Sequence, residues 1–160
     1  MAPQQSTPDP SAHPRQPDHN RADLLEVLVE EHRTVERLFA VFETTADRAR
    51  RRNTLATMLA ELQRHGETEE RYLYPATREY LSAGVDLAGH ELRELAEVDA
   101  LAERVRRLDD ADPEFEPLVD ALMTGIRHHV QEQETELFPR LRAACVPETL
   151  RQLGADASQP

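Results

Sequence analysis

The chain has no lysine, no tryptophan and one cysteine, Cys145. A single thiol excludes a disulfide within the chain, and a reducing compartment is the expectation. All 19 basic residues are therefore arginine, a bias that carries no functional reading of its own. Set against 31 acidic residues they leave a formal net charge of −12, which argues against nucleic acid or an anionic membrane surface as the main partner. The one local basic run, Arg48 with Arg50, Arg51 and Arg52, is expected to be the solvated start of a helix. No apolar run is long enough to span a bilayer, and the first residues lack the apolar core of a secretory signal. A soluble, cytoplasmic protein is the expectation. No alternating strand pattern, Gly-rich phosphate loop, nucleophile–base dyad or pair of catalytic acids is visible.

The 160 residues suffice for one domain with a substantial core, and abundant Ala, Leu, Glu and Arg with only five Gly point to helices. Residues 1–19 hold Pro3, Pro8, Pro10, Pro14 and Pro17 among polar residues and read as a disordered tail. A bundle is expected over 20–146 and a short tail over 147–160, with at most a helical turn around Pro147 and Gly154. Asn20 is the expected cap of a first helix with apolar stripe Leu24, Leu25, Leu28, Val35, Phe39 and Phe42. A second helix is expected over Asp47–Tyr74, ended or kinked by Pro75, with Gly84 as a C-cap after a further turn or two. Asp86 is the expected cap of a third, with seam Leu87, His90, Glu94, Val98, Leu101, Val105 and Leu108. The fourth is expected over Glu114–Leu137, with Pro139 placed as Pro75 is in the second. Four long helices with short connections imply an all-α, up-down-up-down antiparallel four-helix bundle.

Each expected helix sets one histidine in its apolar stripe: His32, His65, His90 and His129. Glu69 and Glu94 follow His65 and His90 by four residues, about 400° of helical rotation, so each pair shares a face. The string HGETEERYLYP returns at His129 as HVQEQETELFP, an internal repeat. Taken singly, such histidines are core residues with ordinary hydrogen bonds. Taken together, four imidazoles with carboxylates in one core call for something that binds nitrogen, because lone buried polar groups are costly. Imidazole and carboxylate suit Fe, Zn or Mn. Tyr72, Tyr74 and Phe138 near these turns read as packing or lid residues, and Cys145 as a bystander.

These residues, with EERYLYP and ELFP, resemble the hemerythrin-like (HHE) cation-binding domain over roughly residues 20–142. The resemblance implies a four-helix bundle holding two iron ions bridged by oxo or hydroxo groups and carboxylates. It also implies a protein that binds, senses or processes dioxygen, peroxide, nitric oxide or iron. Carried over, His32, His65, His90 and His129 would be histidine ligands, Glu69 a bridge, and Glu94 would stand where oxygen carriers have a second histidine. The repeat aligns Glu69 with Gln133, a neutral amide. Glu134 matches the His-x4-Asp spacing of the carriers and is the expected second bridge, although an ideal helix turns it about 140° from His129 unless a π-bulge intervenes. Glu132 pairs instead with His128 as another His-x3-Glu, toward the edge of the stripe. Glu94 in place of histidine makes the centre harder and more anionic, which fits peroxide chemistry or sensing better than reversible oxygen carriage. The alternatives are a metal-storage module without turnover and a metal-free helical interaction module.

Overall fold

The first helix starts where two side chains exchange hydrogen bonds with the backbone. Glu26 N donates to Asp23 Oδ1 at 3.0 Å and Asp23 N donates to Glu26 Oε2 at 2.9 Å, a capping box. The structure, a computed structural model, describes residues 22–159. Within it Asp23 is the cap of α1, Leu24–Thr44; Asn20 and the expected tail 1–19 lie outside the described residues.

Asp47 caps α2, Arg48–Thr68, by accepting from Arg50 N. The chain then passes through a π-helical segment, Glu69–Leu73, directly into α3, Tyr74–Tyr80. Pro75 neither ends nor breaks this rod. In the wider π turn Tyr74 N donates to Glu69 O, and the proline falls in the first turn of the next α stretch, where its missing N–H costs little. The cap after α3 is Leu81, not Gly84, which instead opens α4, Gly84–Arg107. Asp86 accordingly sits in the first turn of α4 rather than at its cap. The second half repeats the device: α5, Phe115–Glu132, leads through the π segment Gln133–Leu137 into α6, Phe138–Ala144, with Pro139 again just past the π turn. The internal repeat in the sequence is thus a repeated helical defect.

The residues expected to be a short tail form a helix, α7, Pro147–Ala157. Leu150 and Gly154 are buried where α7 packs on α1, and Tyr72 Oη donates to Asp156 O at 3.2 Å. Of the arginine run at the start of α2, Arg48 pairs with Asp110 in the 108–114 connection and Arg51 with Glu116 in the first turn of α5. No strand occurs among the described residues, and the long rods pack as a four-helix bundle.

The apolar core is in two parts. One, built on Phe39, Met58, Val98, Phe115, Leu122 and Ile126, fills the end nearest the α1–α2 connection. The other, built on Leu24, Leu28, Leu73, Tyr74, Leu95 and Leu141, lies beyond it. Along α1 the switch from one to the other falls at His32, along α2 at His65 and Glu69, and along α5 at His129 and Gln133. A polar layer therefore divides the core. Gly66 lets α4 approach this layer, since a Cβ there would sit 3.2 Å from Leu95 Cδ1.

The stripe of α4 is displaced from its expected register. Its buried residues are Gly84, Ala88, Glu91, Leu95, Val98, Ala102 and Val105. Leu87, His90, Glu94, Leu101 and Leu108 lie along the flank. Heptad-like spacing fits both sets, and the choice was decided by Ala88 and Ala102, small residues that permit close helix packing.

Candidate metal centre

His32, His65, Glu69, Glu91, His129 and Gln133 are all buried in the polar layer, and Glu69 and Gln133 are wholly removed from solvent. The imidazoles of His32 and His65 meet edge to face, with centroids 4.8 Å apart, and Phe138 stacks on His32 from the other side.

The three buried histidines share one arrangement. His32 Nδ1 donates to Glu134 Oε1 at 2.9 Å, His65 Nδ1 to Glu31 Oε2 at 2.8 Å, and His129 Nδ1 to Glu94 Oε2 at 3.0 Å. Each carboxylate fixes the ring's orientation and leaves Nε2 as the inward atom. Those three Nε2 atoms are buried and make no hydrogen bond. Glu69 Oε1 lies among them, 3.3 Å from His65 Nε2 and 3.5 Å from His129 Nε2. His32, His65 and Glu69 each offer a ligand atom within 4.8 Å of the others, and Glu91, Glu94 and His129 form a second such group. Orphaned imidazole nitrogens around an ionised carboxylate are the donor set of a borderline divalent or trivalent cation, so these residues fit one.

The titration of the layer follows from burial and from Glu69. Burial, with the neighbouring His65, pulls His32 down to about 4. Burial acts the same way on His65 and His129, yet the adjoining carboxylates outweigh it and raise each to about 9: Glu69 and Glu31 for His65, chiefly Glu69 for His129. Glu69 itself is held well below the usual carboxylate range: burial alone would raise it, and the two imidazoles overcome that. Without a metal, protons on His65 and His129 balance this charge. Glu91 goes the other way, raised by burial.

The expected ligands His32, His65, Glu69 and His129 are thus brought together. His90 is not: half of its side chain is exposed, because the α4 register turns it to the rim. Glu94 reaches the layer through His129 Nδ1 and is half-buried. Glu134 does not face Glu69. The π segment that was needed is present, Gln133–Leu137, but it turns Gln133 inward and sets Glu134 on the flank, accepting from His32 Nδ1 and paired with Arg33 at 2.7 Å. Gln133 occupies the place opposite Glu69, its Nε2 donating to Glu69 Oε1 and, at 2.9 Å, to Glu91 Oε2. Its Oε1 is buried without a partner. Sequence reasoning missed Glu91, because the spacing of Ala88, Leu95 and Ala102 that accompanies it is no more regular than the seam of Leu87, Leu101 and Leu108. It also missed Glu31, buried beside His65 and Arg64.

A family model for the Hemerythrin HHE cation binding domain matches residues 23–141. The chain belongs to that family. It is similar, at 23% identity and a TM-score of 0.74 over 86% of this chain and 83% of the other, to the crystal structure of a hemerythrin HHE cation binding domain-containing protein from Mycobacterium kansasii, an Rv2633c homolog. It is also 26% identical over 125 residues to a DNA nickase of Nostoc sp. (strain PCC 7120 / SAG 25.82 / UTEX 2576), covering 78% of this chain. The chain spans 35% of the length of that relative. Family and fold together define a metal-binding helical domain. Among the described residues no helix is long and apolar enough to cross a membrane.

Proposed function

We propose that the chain is a non-haem iron protein that holds two ions in its polar layer and senses or processes dioxygen, peroxide or nitric oxide. The observation that carries this reading is the set of three buried, unpartnered Nε2 atoms of His32, His65 and His129 around Glu69. One position would be held by His32, His65 and Glu69. The other would be held by His129, Glu69 and Glu91, with the Gln133 amide beside it. When bound, iron supplies one-electron redox chemistry and a site on which a small oxidant acts.

The chain's own residues do the rest. Glu31, Glu94 and Glu134 fix the three imidazoles by their Nδ1 atoms and increase their basicity. Glu69 Oε2 is held by the hydroxyl of Tyr74 at 2.8 Å, which leaves Oε1 turned to the histidines. Phe138, itself buried, stacks on the His32 ring. A surface groove of about 440 Å³ between α1 and α5 reaches His32 past Val35, Phe39, Ile126 and Glu134, wide enough for a diatomic or peroxide. The negative charge of these carboxylates favours the ferric state and so supports peroxide chemistry or sensing over reversible oxygen carriage. Zinc or manganese suits the same donors, and the protein is an enzyme only if it turns the oxidant over. The nickase activity named for the Nostoc relative belongs to a far longer protein, and a net charge of −12 disfavours DNA as the partner of this chain.

The test is metal content by mass spectrometry on aerobically purified protein, with an absorption spectrum of the same sample. The reading expects about two iron ions per chain with near-ultraviolet bands of a bridged ferric pair, both lost in His65→Ala. Zinc or no metal, with the same result in His65→Ala, overturns it and returns the polar layer to a metal-free hydrogen-bond network.

A further inference from the structure

The residues that the register of α4 turns away from the core meet a matching pair on α5. His90 and Glu94 stand one helical turn apart on α4, as His128 and Glu132 do on α5, and the two pairs face each other across the helix interface. His90 Nε2 lies 3.4 Å from Glu94 Oε1 and 3.6 Å from Glu132 Oε2. His128 Nδ1 lies 3.9 Å from Glu94 Oε1 and 3.8 Å from Glu132 Oε2. The same two carboxylate oxygens thus face both imidazoles. We propose that His90, Glu94, His128 and Glu132 form a second, solvent-facing site for a divalent transition cation, zinc by preference, at the rim of the bundle.

Three observations carry this. The first is the spacing. Four N and O ligands at about 2.0–2.2 Å from a tetrahedral zinc stand about 3.3–3.6 Å from one another. The His90–carboxylate separations already match, and those of His128 are a few tenths of an ångström longer. His128, outside the 4.8 Å set of the other three, completes the site by turning toward them. The second is Glu132 Oε2, which is shut off from water and accepts no hydrogen bond, although the rest of its side chain is partly exposed. A buried carboxylate oxygen without a donor calls for a cation. The third is that a ligand atom each of His90, Glu94 and Glu132 lies within 4.8 Å of the others, so two carboxylates are drawn together against their repulsion. Two imidazoles beside two carboxylates favour zinc, cobalt or iron over magnesium and calcium, which take oxygen alone, and the absence of thiolate disfavours copper(I).

The site is separate from the inner layer but touches it at one residue. Glu94 gives Oε1 to the rim and Oε2 to His129 Nδ1. An ion at the rim fixes the carboxylate that orients His129, so occupancy of the rim bears on the inner centre. Both rim histidines are at least half exposed, which leaves the site open to ions in solution.

The test is cobalt titration of the full chain after chelator treatment, read by visible absorption and calorimetry, in the unmodified protein and in His128→Ala and Glu132→Gln. Both substitutions are peripheral, and helix content by circular dichroism checks the fold. The expected result is one cobalt equivalent, with the intense visible bands of a four-coordinate ion, that is lost or weakened at least about ten-fold in both variants. Zinc added to the unmodified protein displaces that equivalent. His65→Ala keeps it, which separates the rim from the inner centre whatever the inner centre binds. Unchanged stoichiometry and spectrum in His128→Ala and Glu132→Gln overturn the proposal, as does loss of the same equivalent in a folded His65→Ala.

Discussion

The hydroxyl of Tyr74 donates to Glu69 Oε2 at 2.8 Å, inside a core where neither residue reaches solvent. Burial and the Glu69 charge both push the phenol up, so it stays protonated and remains a donor at any working pH. Tyr74→Phe removes that donor and leaves a carboxylate oxygen buried and unpaired. The metal-free variant should lose about 1–3 kcal/mol of stability in urea melts. In the iron-loaded protein the freed carboxylate should change the near-ultraviolet bands. A purely packing role for Tyr74 predicts neither effect.

Gln133 separates Glu69 from Glu91 by donating to both. Gln133→Glu would place a third carboxylate between two others in a buried site. The metal-free variant should melt well below the unmodified protein, because like charges repel and no donor remains between them. With iron or zinc present the order should reverse in affinity, since an anionic ligand replaces a neutral amide. Thermal melts with and without metal, together with ions bound per chain, give both signs. A variant equally destabilised in the two conditions would show that Gln133 only fills space.

How much of this was legible in the sequence depended on what each residue's role leaves in the spacing. His32, His65, Glu69 and His129 sit in stripes so apolar that their burial could be read directly. The bundle followed from four such stripes. The face of α4 could not be fixed in that way, because Leu87, Leu101 and Leu108 give as regular a seam as Ala88, Leu95 and Ala102. Only contact with the neighbouring helices decides between them, and that moved His90 outward and Glu91 inward. Glu134 was placed by a spacing rule that assumed where the π turn begins. The turn starts at Gln133, whose side chain therefore faces Glu69. The helix at the C-terminus was hidden for another reason: α7 is short, and only its docking on α1 makes it stable.

That docking depends on Gly154. A Cβ there would fall on the carbonyl oxygen of Ala22 and within 2.6 Å of the Asp23 carbonyl carbon, backbone atoms that carry the cap of α1. Gly154→Ala should therefore lift α7 from α1 and cost about 1–3 kcal/mol. Limited proteolysis should then cut after Cys145 in the variant and not in the unmodified chain. Metal content should be unchanged, because the polar layer lies between other elements.

The pH dependence of the metal-free protein follows from three histidines with opposite shifts. His65 and His129 rise from 6.5 to about 9 in the folded chain, with burial outweighed by Glu69 and its neighbours. Their contribution is complete below pH 6.5 and disappears as the pH rises through 9. His32 is lowered from 6.5 to about 4 by burial, so its contribution is complete above pH 6.5 and is lost as the pH falls toward 4. Glu69 and Glu31 are also lowered, against the effect of burial and by their imidazole partners, and add a loss below pH 4.5. Chelator-treated protein should therefore melt highest near pH 6.5 and lower on both sides. Metal binding displaces the protons on His65 and His129, so affinity should rise from pH 6.5 to about 9, with proton release seen in unbuffered titrations. In the loaded protein the alkaline fall should flatten, because a bound ion replaces the protons of His65 and His129 as the positive charge facing Glu69. An alkaline fall of the same depth with and without metal would mean that the ion binds elsewhere than at His65 and His129.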